Sequence, residues 1–127
     1  MEAKELMIND WVYRYDKPIQ VTDGIYRDKI YTKDYFDIVE TKLNPIPLTE
    51  EILRSNGFEA ETHNNELFRH KLHRHILCWV SDATYRVNVV ELGNNHLEGK
   101  WFYVHEFQHA LRLCGLNDLA DNFKVIE

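Results

Sequence analysis

Asn44-Pro45-Ile46-Pro47-Leu48-Thr49-Glu50-Glu51-Ile52-Leu53 divides the chain. Pro45 and Pro47 fix their own backbone and push the residues before them out of helical geometry, so this stretch is neither a central strand nor a helix interior. Thr49 can cap a helix that starts just after it. Glu50 and Glu51 then stand in the first turn, where carboxylates suit the helix dipole. Gly57 is placed to end that helix. The segment predicts a boundary after residue 44 and a short helix beyond it. Residues 1–44 then form one subdomain and 45–127 another, the two able to share a core.

Upstream, the residues read as short strands. Trp11-Val12-Tyr13-Arg14-Tyr15 is aromatic and β-prone, Asp16-Lys17-Pro18 marks a turn, and Ile19-Gln20-Val21-Thr22 continues as strand. Asp23-Gly24 signals another turn. Ile25-Tyr26, Ile30-Tyr31-Thr32 and Phe36-Asp37-Ile38-Val39 keep the strand character. Together they predict a β-meander over about 6–43, of a kind that could close into an SH3-like barrel. Trp11, Tyr13 and Tyr15 alternate and could form a stacking platform, although such a row is more often core.

Downstream, residues 60–66 are polar and read as loop. Leu67–Val80 and Thr84–Leu92 predict two strands joined around Ser81-Asp82-Ala83, with Tyr85, Val87 and Val89 on one face. Gly93-Asn94-Asn95 is a turn, with a weaker one at Gly99. Lys100–Tyr103 leads into a helix of roughly 104–114 with Gly115 at its end. Phe123-Lys124-Val125-Ile126 could add a closing strand. Trp79, Trp101 and Phe102 read as core. The expected class is α+β: a small N-terminal β-meander, a short helix, an antiparallel hairpin region and a C-terminal amphipathic helix.

At 127 residues and 44% apolar content, the chain can build a core without staples. Cys78 and Cys114 are its only cysteines, which suits a reducing compartment and no disulfide framework. The first residues lack a basic, then apolar, leader pattern, and no apolar run approaches a membrane span. The expected setting is the cytoplasm, without membrane association. A net charge of −6 disfavours nucleic acid as a partner.

Val104-His105-Glu106-Phe107-Gln108-His109-Ala110-Leu111 contains the pattern H-E-x-x-H. On a helix, His105 and His109 stand one turn apart and could share a zinc ion, with Glu106 as general base toward a metal-bound water. The stretch resembles the active-site helix of metzincin proteases, and that resemblance implies zinc at His105 and His109. The departures are specific. Arg112 occupies the place of the metzincin glycine, and Gly115 that of the third histidine ligand. A catalytic zinc needs three protein ligands, and only two are visible here. Asp118, Asp121 and Glu127 follow His109, with no evident second helix to return them. At about 100° per residue, Val104, Phe107, Ala110, Leu111 and Cys114 share an arc of roughly 120°. With that stripe packed, His105, Gln108, His109 and Arg112 are expected to face solvent or a partner.

A second cluster, His70, His73 and His75, is interleaved with Arg69, Lys71 and Arg74. It reads as a solvated basic face, the one local place to draw in an anion or nucleic acid. There is no glycine-rich phosphate loop and no G-x-S-x-G elbow.

A wider likeness rests on three blocks: Glu5-Leu6-Met7-Ile8-Asn9-Asp10-Trp11-Val12, then Pro45–Leu53 with Asn56-Gly57-Phe58-Glu59, then Tyr103-Val104-His105-Glu106-Phe107-Gln108. In this order they resemble a group of short uncharacterised proteins of gut bacteria, their prophages and phages. The resemblance implies an accessory protein of the cell interior linked to mobile elements. The leading expectation is a non-enzymatic protein-binding or adaptor module with no cofactor. The rival is a minimal zinc hydrolase built on His105, Glu106 and His109.

Overall fold

Val12 and Ile19 face each other across the first hairpin and are buried, while their neighbours Trp11 and Tyr13 pack in the opposite direction. That alternation follows from the two-residue period of a strand. It makes the hairpin a shared wall between two cores. The computed structural model describes residues 1–33, 38–60, 67–72, 76–81, 86–91, 100–101, 103–113 and 115–125. Over them the chain is α+β, with three small antiparallel sheets.

β1 (Trp11–Arg14), β2 (Lys17–Gln20) and β6 (Leu43–Asn44) form one sheet in the order β2-β1-β6. β3 (Gly24–Tyr26), β4 (Lys29–Tyr31) and β5 (Ile38–Val39) form another in the order β3-β4-β5. The two sheets share a core of Ala3, Leu6, Val12, Ile19, Val21, Ile30, Ile38 and Leu43. Among the described residues they do not close into a barrel. The first turn is displaced from its expected place. It falls at Tyr15 and Asp16, with Tyr15 at φ 55°, and Lys17 and Pro18 already belong to β2. Pro18 is tolerated because β2 has a neighbour on one side only, so its missing N–H can face away from the ladder.

The second core starts at Ile46. It gathers Leu48, Leu53, Phe58, Phe68, Val104, Phe107, Leu111, Ala120 and Phe123. The proline segment lies between the cores and is docked: Pro47 pairs with Tyr103, and the Ile46 carbonyl accepts the Val104 amide at 2.8 Å. α1 (Glu50–Ser55) begins where the sequence placed it, with the Thr49 hydroxyl accepting the Ile52 amide at 3.3 Å. β7 (Phe58–Ala60), β8 (Leu67–His70), β9 (Ile76–Ser81), β10 (Arg86–Glu91) and β11 (Lys100–Trp101) make a sheet in the order β11-β10-β9-β8-β7. α2 (Val104–Leu113) and α3 (Asn117–Asp121) complete the chain.

Leu67–Val80 is therefore two strands, not one. β8 and β9 pair antiparallel from Leu67 opposite Trp79 to Arg69 opposite Leu77. At the end of β8 the Leu72 amide donates to His70 Nδ1 at 3.2 Å, and the Lys71 amide to the Gly57 carbonyl at 2.9 Å. The strand stops because a buried imidazole and the turn after α1 take those amides. β9 and β10 form the expected hairpin, from Ile76 opposite Glu91 to Ser81 opposite Arg86.

No closing strand forms at the C-terminus among the described residues. Lys124 instead meets a side chain: its amide donates to Asn56 Oδ1 at 2.7 Å, and Asn56 Nδ2 donates to its carbonyl at 2.9 Å. Of the loop expected over 60–66, Ala60 instead ends β7 and the rest lies outside the described residues, as do the expected turns at Gly93-Asn94-Asn95 and Gly99, Phe102, Cys114 and Ile126, and the side chains of Cys78, Trp79 and Trp101. Among the described residues no helix is long and apolar enough to cross a membrane.

Gly57 ends α1 at φ 89°, and a Cβ built there would lie 2.9 Å from His70 Nε2. Left-handed backbone and a rigid neighbour act together. Gly57→Ala is expected to cost about 2 kcal/mol of stability, read from urea unfolding midpoints at constant slope.

Candidate functional site

α2 buries both of its faces. Val104, Phe107 and Leu111 fill the second core, as their spacing requires, and Ala110 is buried beside them on the helix. The polar face was expected to meet solvent or a partner. It is covered by the chain itself: Gln108 is fully buried and His105 nearly so. The cover is the N-terminal arm, residues 7–11, together with α3 and the segment after it. Gly115, at φ 80°, turns the chain back toward α3. Its amide donates to the Arg112 carbonyl at 3.0 Å and the Leu116 amide to the Leu111 carbonyl at 2.9 Å, the pair of bonds that closes a helix through glycine.

Asp10 is the centre of the contact. Its side chain has 0% exposure, and both oxygens are occupied. Oδ2 accepts the Met7 amide at 2.8 Å and His109 Nε2–H at 2.5 Å, while Oδ1 accepts Arg112 Nη1 at 2.8 Å. Arg112 Nη2 extends the network to the Ile8 carbonyl at 3.1 Å and to Asp121 Oδ1 at 3.4 Å. Gln108 sews the same seam with neutral bonds. Its Oε1 accepts the Trp11 amide at 3.0 Å, and its Nε2 donates to the carbonyls of Asn9 at 2.8 Å and Ala120 at 3.0 Å. Trp11 Nε1 closes the far side on the Phe123 carbonyl at 2.6 Å.

Each member of the H-E-x-x-H pattern has a local task. Glu106 Oε1 accepts the Tyr103 amide at 3.1 Å, the reach-back bond of a helix capping box, and so secures the start of α2. His109 Nε2 is hydrogen-bonded to Asp10 Oδ2, and against a carboxylate that nitrogen is the donor, so Nε2 is not a metal ligand while it makes this bond. The His105 ring stacks on Tyr103 with an interplanar angle of 10° and meets His109 edge-on, the centroids 5.8 Å apart. His105 Nδ1 is buried and has no hydrogen-bond partner among the described residues. Burial lowers the His105 pKa below its ordinary value, against the opposing fields of Asp10 and Glu106.

The sequence reading lacked a third donor near the two imidazoles. One arrives, Asp10 from the opposite end of the chain, but it already answers an arginine, an imidazole and an amide. A second helix also returns, contrary to expectation. α3 carries Asp118 and Asp121, and Asp121 reaches Arg112 and not the histidines. Among the described residues no group of three or more His, Cys, Asp or Glu could hold a metal ion.

One member of the second histidine cluster departs from the expected solvated face. His70 is a core residue, edge-on to Phe58 at 4.9 Å, with its Nε2 3.1 Å from the Asn56 carbonyl. Lys71 pairs with Glu59 at 3.5 Å on the surface, where such a pair adds little. His73, Arg74 and His75 lie outside the described residues. Comparison with family models, curated proteins and solved structures returns no match for the chain.

Removing the carboxylate strands the Arg112 charge in a site where its side chain is only 12% exposed. Asp10→Ala is expected to destabilise the protein by about 3 kcal/mol in urea unfolding, the range for breaking a buried pair. His105 makes a separate prediction. Its folded pKa lies below the unfolded value of 6.5, so the unfolded chain takes the proton more readily. The stability it contributes is complete above that value and declines as the pH falls below it. Wild type is expected to lose stability relative to His105→Phe on going from about pH 7.5 to about pH 5.5. A difference independent of pH would contradict the buried, neutral imidazole.

Proposed function

We propose that the chain is a non-enzymatic binding module whose partner is another protein. The observation that carries this reading is the buried Asp10 carboxylate, which commits His109 and Arg112 to holding the molecule together. With Glu106 at the helix cap, the general base of zinc hydrolysis and one of its two imidazoles each have a structural task. The side chains left outward are of another kind: Leu113 at 77% exposure, Tyr26, Tyr15, Met7 and Ile8. Aromatic and apolar groups of this sort anchor contacts between proteins. An accessory role linked to mobile elements, as the resemblance implies, accommodates such a module.

Two measurements separate this reading from the minimal zinc hydrolase. Protein purified without a histidine tag is expected to carry far less than one zinc per chain by elemental analysis. Near-stoichiometric zinc that disappears in His109→Ala would overturn the reading. Replacing Glu106 by Gln leaves the cap an acceptor while removing a general base. A hydrolytic activity abolished by that change, with the unfolding midpoint preserved, would count equally against it.

A further inference from the structure

The tip of the first hairpin holds Arg14 and Lys17 on either side of the turn residues Tyr15 and Asp16. Arg14 and Lys17 are direct register partners across β1 and β2, an arrangement that costs stability when the charges are alike. Between the strands stands Tyr15, 59% exposed and at φ 55°, a left-handed conformation unfavourable for a bulky side chain. Two cations lie over its ring: the Arg14 guanidinium 5.5 Å and the Lys42 ammonium 5.8 Å from the centroid. The Tyr15 amide, 3.4 Å from the Lys42 carbonyl, ties the tip to the chain that carries the second cation. Local strain and like-charge crowding thus meet at one exposed site, in a chain of net charge −6.

A groove of about 240 Å³ runs from this tip along β2, lined by Lys17, Pro18, Ile19 and Gln20 and reaching Trp11 and Lys33. Alternate residues of a strand point to opposite faces. A groove that touches four consecutive residues therefore follows the outer edge of β2 and not one of its faces. That edge has no neighbouring strand among the described residues. Among the described residues the charged groups lining the groove are lysines; Asp16 and Asp23, adjacent in sequence, do not line it. Pro18 offers no N–H, which keeps the edge from templating a long ladder but leaves room for a short one.

We propose that the outer edge of β2 receives a short, extended, acidic segment of a partner protein. Its carboxylates meet Lys17 and Lys42 at the hairpin tip and Lys33 at the far end, and its backbone lies along the strand. This assignment rests on the reading of the chain as a protein-binding module. Single-stranded nucleic acid is the poorer fit. Its binding faces stack successive bases on several rings, and the net charge opposes a phosphate chain; here the tip presents Tyr15.

The test is fluorescence anisotropy with three labelled probes: a decapeptide alternating glutamate and valine, its lysine-for-glutamate counterpart, and a decathymidylate. The glutamate peptide is expected to bind best, with affinity that falls as salt rises. The double change Lys17→Glu with Lys42→Glu should weaken it about tenfold or more, the sum of two surface charge reversals. Tyr15→Gly should bind more weakly while unfolding no earlier in urea, because glycine accepts the left-handed backbone. Equal or tighter binding of the lysine peptide or the decathymidylate overturns the assignment, as does absent binding of the glutamate peptide or indifference to the charge reversals. Those outcomes leave the zinc and Glu106→Gln results unchanged, so the two readings fail separately.

Discussion

A carboxylate cut off from water must have its charge answered where it stands, since burying it alone costs several kcal/mol. Asp10 is such a group, and the rest of the structure is arranged around answering it. Arg112 supplies the opposite charge, His109 and the Met7 amide supply donors, and the partners lie 102, 99 and 3 residues away in sequence. Each long bond can form only when the N-terminal arm crosses α2. The arm in turn feeds β1, whose Val12 and Trp11 face different cores. One buried charge therefore couples the meander to the helices, and Gln108 extends the coupling through neutral bonds to α3.

This constraint explains why a catalytic-looking pattern belongs to the scaffold. A helix that packs on both faces needs polar groups that can be satisfied internally on the second face. Imidazole, amide and guanidinium at one-turn spacing do so for the carbonyls, amides and carboxylate of an irregular arm. Glutamate at the third helical position does the same for the helix start. His105 is the exception, a buried ring whose Nδ1 has no hydrogen-bond partner among the described residues. It stays neutral because burial disfavours its charge.

The legible parts of the fold are those governed by neighbours in sequence. Thr49, Glu50 and Gly57 announced α1, the apolar stripe and Gly115 announced α2, and alternation announced the pairing of β9 with β10. What escaped depended on distant partners. Nothing near His109 signals Asp10, so the polar face of α2 read as solvent-facing. Nothing near Lys124 signals Asn56, whose side chain holds the segment that looked like a strand. The hairpin turn was displaced because Tyr15, a poor residue for left-handed backbone, occupies it. The departure from local preference marks an exposed aromatic ring that two cations cover.

The account depends on Asp10 coupling the two cores, and native-state hydrogen exchange resolved by residue tests this most directly. The amides of Val12 and Ile30 report the meander core, and those of Phe107 and Leu111 the helical one. In the wild type the four should open with one common free energy, and Asp10→Ala should lower all of them together. Loss of protection confined to residues 7–11, with both cores unchanged, would show that the clamp is only a local tie.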